Sequence, residues 1–171
     1  MVVFTERPFQ ISANPVPVFT LDAAAAYVER QRRSGKTIVF TNGVFDLLHI
    51  GHVRYLKQSR ALGDVLVVGV NADASVRRLG KAPDRPVTPE LERAEIVGAL
   101  SFVDAVLIFK EDTPAEAIER LLPDILVKGS DWQGRENPGQ KFIEARGGRM
   151  VFIPLEAGYS TTNILESIRK S

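Results

Sequence analysis

Cysteine is absent from the chain, which excludes disulfide bonds, thiolate zinc sites and a cysteine nucleophile. Histidine is nearly as scarce, with two residues among 171. An excess of charge is missing as well, because 22 basic residues face 21 acidic ones and leave a net charge of +1. Such a chain has no global field for gripping nucleic acid or an anionic membrane, so any anion site has to be local.

Long apolar runs are also missing. No stretch approaches the roughly 20 apolar residues of a membrane span, and the N-terminus has neither the basic region nor the apolar core of a signal peptide. We therefore expect a cytoplasmic protein with no membrane partner. A chain of 171 residues that is 44% hydrophobic and 25% charged fits one globular domain.

The first twenty residues hold three prolines and no sustained periodicity, which predicts an extended N-terminal arm over residues 1–20. This arm is either disordered or lies on a partner subunit. The domain proper is expected over residues 21–171. It would open with a helix over Leu21–Arg33, capped by Thr20 and stopped by Gly35.

Apolar strand-like runs then alternate with amphipathic helical patterns. Strands are predicted at Thr37–Thr41, Val65–Val70, Val103–Phe109, Ile125–Val127 and Met150–Ile153, and helices at Gly51–Leu62, Ala72–Leu79, Thr88–Ala99, Pro114–Leu122 and Thr161–Arg169. This order is typical of an α/β fold: a single Rossmann-like domain whose mostly parallel five-stranded sheet carries helices on both faces. The glycine-rich stretch Gly129–Gly148 is expected to be a mobile lid or a surface loop.

Both histidines lie in the segment His49-Ile50-Gly51-His52, directly behind the first strand of this alternation and a turn at Gly43. A glycine turn followed by a helix start brings backbone N–H groups and a positive dipole end to an anionic ligand. The placement favours nucleotide phosphate chemistry over two satisfied core histidines. Zinc is disfavoured, and no metal-ligand set is predicted, because the chain has no third histidine or cysteine to complete a site.

The segment from Gly43 to His52 resembles the His-x-Gly-His signature of the cytidylyltransferase-like nucleotidyltransferase superfamily. Further segments match it in order: Asn71-Ala72-Asp73, the loop carrying Lys81, Glu92-Arg93, Lys128-Gly129-Ser130-Asp131-Trp132 and Gly158-Tyr159-Ser160-Thr161-Thr162. The resemblance implies His49, His52 and Lys81 as the catalytic residues. It implies nucleotide-binding roles for sixteen others: Thr41, Asn42, Gly43, Val44, Phe45, Gly51, Asn71, Asp73, Arg93, Lys128, Gly129, Asp131, Trp132, Ser160, Thr161 and Thr162.

Within the superfamily, several segments look most like the branch of D-glycero-β-D-manno-heptose 1-phosphate adenylyltransferases, including Arg85-Pro86-Val87-Thr88-Pro89 and Ser160-Thr161-Thr162-Asn163-Ile164. The resemblance implies transfer of AMP from ATP to the heptose 1-phosphate with Mg²⁺, giving ADP-heptose and pyrophosphate for the lipopolysaccharide core. It also implies a homodimer and a separate heptose kinase upstream. The alternatives are a cytidylyltransferase acting on glycerol 3-phosphate or another small phosphate ester, and a non-catalytic nucleotide-binding regulatory module.

Some of these residues also have purely structural interpretations. Asp46, directly behind the first strand, is predicted to be a structural acceptor that holds the turn. Lys81 and Arg85 could be solvated surface charges, and Arg93 could pair with Glu90 across a helical turn. Ser160, Thr161 and Thr162 could be a simple helix cap, a role that is compatible with phosphate binding.

Overall fold

The computed structural model describes residues 16–80, 84–156 and 158–170, in which strands and helices alternate along the chain. The strands are β1 (Val18–Phe19), β2 (Ile38–Gly43), β3 (Val65–Asn71), β4 (Ala105–Phe109), β5 (Ile125–Gly129) and β6 (Arg149–Ile153). The helices are α1 (Leu21–Arg33), α2 (Ile50–Arg60), α3 (Asp73–Arg78), α4 (Glu90–Gly98), α5 (Ala115–Leu121), α6 (Gln140–Glu144) and α7 (Thr161–Lys170). None of the helices in this part of the chain is long and apolar enough to cross a membrane.

The sheet has six strands in the order β1-β4-β3-β2-β5-β6, and each neighbouring pair is parallel. The prediction of five strands was wrong by one edge strand. Val18 and Phe19 pair with Val106 and Leu107 of β4, although they belong to the segment expected as an arm. Two residues are too few to produce a periodic pattern, so this strand forms because the exposed edge of β4 offers backbone partners.

Helices cover both faces of the sheet, as predicted. Alternate residues of β2 point to opposite faces, because side chains in a strand alternate with a period of two. Ile38 and Phe40 pack with α1, α5 and α6, whereas Val39 packs with α2 and α4. Both clusters are built from buried and mostly aliphatic side chains, so β2 lies between two apolar cores.

Local signals set the element bounds closely. Helix α1 spans Leu21–Arg33 as predicted, and the Thr20 hydroxyl accepts a hydrogen bond from the N–H of Ala23 at 3.3 Å. The other predicted helices and strands agree with the observed bounds within two residues at each end. The glycine-rich stretch contains a 3₁₀ turn at Ser130–Trp132 and the short helix α6, so it is partly structured.

The topology fixes where a ligand can enter. From β2 the chain runs to β3 and β4 on one side of the sheet, and later to β5 and β6 on the other. Loops that leave neighbouring strands in opposite directions open a crevice at the carboxyl ends of those strands. The crevice of this protein therefore lies beyond the carboxyl ends of β2 and β5.

Candidate active site

A cleft of about 490 Å³ occupies this position. It brings together fourteen of the nineteen residues predicted for the site: Asn42, Gly43, Val44, Phe45, His49, Gly51, His52, Lys128, Gly129, Asp131, Trp132, Ser160, Thr161 and Thr162. They come from three distant parts of the chain: the end of β2 with the segment after it, the end of β5 with the segment after it, and the segment after β6. Four predicted residues lie outside its lining, namely Thr41, Asn71, Asp73 and Arg93, while Lys81 lies outside the described residues.

The two histidines stand together at the start of α2. Their rings stack with centroids 3.8 Å apart and an angle of 24° between the planes. His49 is the N-cap residue of α2, but its side chain makes no capping bond, and its buried Nδ1 atom has no hydrogen-bond partner in the described part of the chain. Burial lowers the pKa of His49 below its usual value. The ring is therefore neutral at physiological pH and carries one N–H donor.

Gly51 makes room for this histidine pair. A Cβ atom at position 51 would lie 3.0 Å from Nδ1 of His49 and 3.3 Å from Cβ of Tyr159. Both distances are shorter than an ordinary van der Waals contact between such atoms. A larger residue would displace the His49 ring or the segment before α7. The glycine in His-x-Gly-His is therefore required for steric reasons.

The loop between β2 and α2 is held in an unusual backbone conformation. Phe45 has a φ of 48°, in the left-handed region that a bulky residue rarely adopts. Its ring packs edge-on against His52 with centroids 5.3 Å apart, and lies 3.0 Å from the position that a Cβ on Gly43 would take. Backbone strain of this kind persists only where the surroundings enforce it, and it gathers at functional sites.

Asp46 holds the loop from below, and its predicted role as a structural acceptor is confirmed. The carboxylate is buried and accepts hydrogen bonds from Nε of Arg85 at 2.9 Å, from the N–H of Val87 at 2.8 Å and from the N–H of Thr88 at 3.0 Å. Arg85 is itself nearly buried in this ion pair, so it is not the solvated surface charge considered as an alternative. The pair ties the β2–α2 loop to the segment before α4.

Arg93 forms a second tie beside the cleft, with its side chain fully buried. Its guanidinium donates to the carbonyls of Thr88 at 2.8 Å, Val44 at 2.5 Å and Asn71 at 2.8 Å, and to Oδ1 of Asp73 at 2.6 Å. The pairing considered for Arg93 with Glu90 does not occur. Glu90 instead accepts a hydrogen bond from the N–H of Asp73 at 2.6 Å.

The other residues outside the lining are equally engaged. Nδ2 of Asn71 donates to the Ser75 hydroxyl at 2.9 Å. The Thr41 hydroxyl donates to the carbonyl of Val127 at 3.1 Å and lies 2.7 Å from the hydroxyl of Tyr55, which is then the donor of that bond. Burial raises the pKa of Tyr55 above its usual value, so the donor proton is retained. These groups hold strands and loops in place around the cleft.

Lys128 brings a buried positive charge to the end of β5. Its Nζ atom donates to Oδ1 of Asn42 at 2.5 Å and lies 5.0 Å from the centroid of the Trp132 ring. Burial lowers the pKa of Lys128 to about 8, although the nearby charge of Asp131 acts in the opposite direction. The cleft therefore contains an ammonium group that has given up most of its water.

The start of α7 completes the cleft. The Ser160 hydroxyl accepts a hydrogen bond from the N–H of Asn163 at 3.0 Å, which makes it a helix cap. Thr161 is buried and Thr162 is exposed. Because one capping bond leaves other N–H groups of the first turn unpaired, α7 directs donors and its positive dipole end toward the cleft.

Several lining residues had not been singled out for the site from sequence: Tyr55, Leu155, Glu156 and Tyr159. Tyr159 lay inside a segment that carried the family resemblance, so the sequence did contain a signal for it. Leu155 and Glu156 follow β6 without any motif, and Glu156 pairs with Arg54 at 2.9 Å. Only the fold brings them to the cleft.

Comparison with known proteins agrees with this geometry. The profile of the family described as cytidylyltransferase-like matches residues 40–167. Two similar proteins are both named Bifunctional protein HldE. The one from Syntrophotalea carbinolica is 57% identical over 141 residues, which cover 82% of this chain and 29% of the relative. The one from Geobacter metallireducens is 48% identical over 163 residues, covering 95% of this chain and 33% of the relative.

A solved structure is similar as well. The crystal structure of the lipopolysaccharide core biosynthesis protein from Thermoplasma volcanium superposes with a TM-score of 0.60 at 34% identity, covering 71% of this chain and 98% of that one. The chain spans about a third of the length of the two HldE relatives. The resemblance inferred from the His-x-Gly-His segment is confirmed, and the chain belongs to the cytidylyltransferase-like family.

Proposed function

We propose that the protein is a nucleotidyltransferase that transfers AMP from ATP to D-glycero-β-D-manno-heptose 1-phosphate, giving ADP-heptose and pyrophosphate for the lipopolysaccharide core. The observation that carries the proposal is the stacked pair of His49 and His52 at the N-terminus of α2, inside a cleft with Lys128 and the start of α7. Similarity to proteins named HldE and to a lipopolysaccharide core biosynthesis protein supports the choice of substrate.

The reaction suits a site that lacks a dedicated general base. The second pKa of a phosphate monoester is roughly 6, so the sugar phosphate is already largely dianionic at neutral pH. One of its oxygens attacks the α-phosphorus of ATP, the bond from that phosphorus to the bridging oxygen breaks, and pyrophosphate leaves with the electron pair. The protein then has to hold the groups in line and stabilise the negative charge that builds up.

His49 and His52 are assigned to that charge. A neutral imidazole at the positive end of a helix donates a hydrogen bond to a phosphoryl oxygen without needing to lose a proton. The His49 ring stacks on His52 and occupies space that a Cβ atom at Gly51 would need. Lys81, which comes after α3 in the sequence, is proposed to bind the α-phosphate or the pyrophosphate.

The remaining contacts follow the shape of the cleft. The backbone around Phe45 is proposed to hold the polyphosphate, and Ser160, Thr161 and Thr162 at the start of α7 are proposed to hold the β- and γ-phosphates. Asp131 and Trp132 would lie near ribose and base. Thr41, Asn71, Asp73 and Arg93 act indirectly in this proposal, through the strands and loops to which they are bonded.

Mg²⁺ is part of the proposal as the companion of the triphosphate. In sites of this kind the ion is held by phosphate oxygens with one or two carboxylates, so a larger acidic cluster is not needed. Asp131 and Glu156 line the cleft, and we propose that these two carboxylates would hold the ion. When bound there, Mg²⁺ would neutralise charge on the polyphosphate.

The cellular setting is proposed on the same basis. A separate kinase would supply the heptose 1-phosphate in the cytoplasm, and residues 21–171 would form the catalytic domain. We also propose a homodimer, as the family resemblance implies. Light scattering on the purified protein tests this, and a monomer mass at micromolar concentration would contradict it.

The test of the function is pyrophosphate release with Mg²⁺, crossing ATP and CTP against the heptose 1-phosphate and glycerol 3-phosphate. Of the four substrate pairs, we expect turnover only with ATP and the heptose 1-phosphate. Turnover with CTP and glycerol phosphate would instead identify a cytidylyltransferase. Nucleotide binding without release in any pair would identify a regulatory module.

A further inference from the structure

Lys128 stands out among the cations of the described chain. Its residue is only 5% exposed, yet no carboxylate of the described residues forms an ion pair with it within 4.0 Å. The buried arginines of the site differ in this respect, because Arg85 pairs with Asp46 and Arg93 with Asp73. A buried charge without an opposite charge is costly, so Lys128 is held in an unfavourable state.

The contacts of Lys128 leave room for an anion. An ammonium group has three N–H donors, and the hydrogen bond to Oδ1 of Asn42 uses one of them. The Trp132 ring lies 5.0 Å away and offers a weaker cation–π contact. The residue lines the same cleft as His49 and His52, and Asn42 directly precedes the Gly43 loop. The unpaired ammonium therefore faces the space in which phosphate groups are expected.

We infer that Lys128 is a substrate-binding residue that pairs with a phosphate oxygen of ATP or of the sugar phosphate and is incompletely paired until that substrate arrives. The inference rests on the proposed function for the identity of the two ligands. The hydrogen bond to Asn42 sets the position of the ammonium from the neighbouring strand. Lys128 thus links the end of β5 to the phosphate loop that follows β2.

Proton uptake is a signature of this pairing. Burial lowers the pKa of Lys128 to about 8, so part of the protein carries a neutral amine at that pH. A phosphate oxygen at the ammonium stabilises the charged form and draws a proton from the buffer. The other ionisable groups lining the cleft are Asp46, His49, His52, Tyr55, Arg85, Asp131, Glu156 and Tyr159. Among them, Asp131 is the one whose charge acts on Lys128, and it favours the ammonium.

The test is isothermal titration calorimetry at pH 8 in two buffers of different ionisation enthalpy, with ATP in one arm and the sugar 1-phosphate in the other. The proteins are the wild type, Lys128→Met, Lys128→Arg and the control Lys57→Met, which removes an exposed lysine on α2. Loss of a charge-assisted hydrogen bond should weaken one ligand by about tenfold to a hundredfold in Lys128→Met. Lys128→Arg should keep most of the affinity, and Lys57→Met all of it.

The two buffers report proton uptake on binding, which distinguishes a role of Lys128 in ligand binding from a role in supporting the fold. The wild type should take up a fraction of a proton with the ligand whose affinity depends on Lys128, and Lys128→Met should take up less. Equal affinities of Lys128→Met and wild type for both ligands would overturn the inference, as would a wild type that binds neither. An altered melting temperature with unchanged affinity and proton uptake would show a structural role only. Because binding is measured without turnover, a Lys128-dependent ligand in a protein that releases no pyrophosphate would uphold this inference and refute the transfer reaction.

Discussion

Buried polar side chains lie at two places along the carboxyl edge of the sheet. At one place they are paired with other groups of the protein, and at the other that pairing is incomplete. Beside β3 and α4, the guanidinium of Arg93 is satisfied by three carbonyls and by Asp73. In the cleft between β2 and β5, Nδ1 of His49 has no hydrogen-bond partner in the described chain, and Lys128 has no ion pair there. Both places carry residues of the family pattern. The difference indicates that the first is scaffold and the second is prepared for a ligand.

The largest effect on stability should come from removing Arg93, whose guanidinium is paired by the protein itself. Arg93→Met removes the guanidinium and leaves buried carbonyls and Asp73 without their donor. We expect a loss of about 3–5 kcal/mol in the free energy of unfolding, measured by urea denaturation. The control Arg120→Met removes an exposed ion pair with Asp22 and should cost less than about 1 kcal/mol. An Arg93 variant as stable as that control would contradict the scaffold role.

A change in the cleft between β2 and β5 should instead lower the catalytic activity. His49→Ala removes the donor that we propose for the reacting phosphates and should leave the helix intact. We expect kcat for pyrophosphate release to fall by about 10²–10³-fold, with an unfolding free energy close to that of the wild type. The control is Gln58→Ala, an exposed change on the same helix. Near-normal turnover of the His49 variant would contradict the assignment.

A smaller change sharpens the same contrast by shifting the histidine without removing it. Gly51→Ala places a Cβ atom 3.0 Å from Nδ1 of His49. Displacing the ring by a few tenths of an ångström should reduce kcat by roughly tenfold, because orientation contributes strongly to such reactions. Gly98→Ala is the matched control, since its Cβ would meet Val16 at an ordinary 3.5 Å. Equal kcat values for the two variants would show that the fit at Gly51 does not matter.

The pH dependence of binding should give the smallest effect. The pKa of Lys128 is lowered to about 8, so its positive charge is nearly complete at pH 7, half lost at about pH 8 and mostly lost at pH 9. The KM of the substrate that pairs with it should therefore rise a few-fold between pH 7 and pH 9. The sugar phosphate does not confound this trend, because a phosphate monoester is already largely dianionic in that range. In Lys128→Arg the KM should stay flat, and a parallel rise there would exclude Lys128 as the cause.

The sequence predicted those features that depend on nearby residues. The Leu21–Arg33 helix follows from its Thr20 cap and its stop at Gly35. The histidine pair was visible because both residues lie in one helical turn. The fourteen predicted residues that meet in the cleft followed from the family resemblance, while the alternation of strands and helices predicted the parallel sheet that carries them.

Features that depend on distant partners escaped prediction. β1 exists because the edge of β4, almost ninety residues away, offers hydrogen-bond partners. The partners of Arg93 include Val44 and Asn71, which are 49 and 22 positions away, so a pattern centred on α4 suggested Glu90 instead. Leu155 and Glu156 reach the cleft only because β6 is the outer neighbour of β5. No local pattern contains this information.

The central claim is that the adenylyl group ends on the sugar phosphate, and ³¹P NMR of the reaction mixture tests it most directly. ATP, Mg²⁺ and D-glycero-β-D-manno-heptose 1-phosphate are incubated with the protein, with the His49→Ala variant as the control. We predict new diphosphate signals of a nucleotide sugar together with free pyrophosphate, both much weaker with the variant. ADP and inorganic phosphate without a nucleotide sugar, or an unchanged spectrum, would contradict the account.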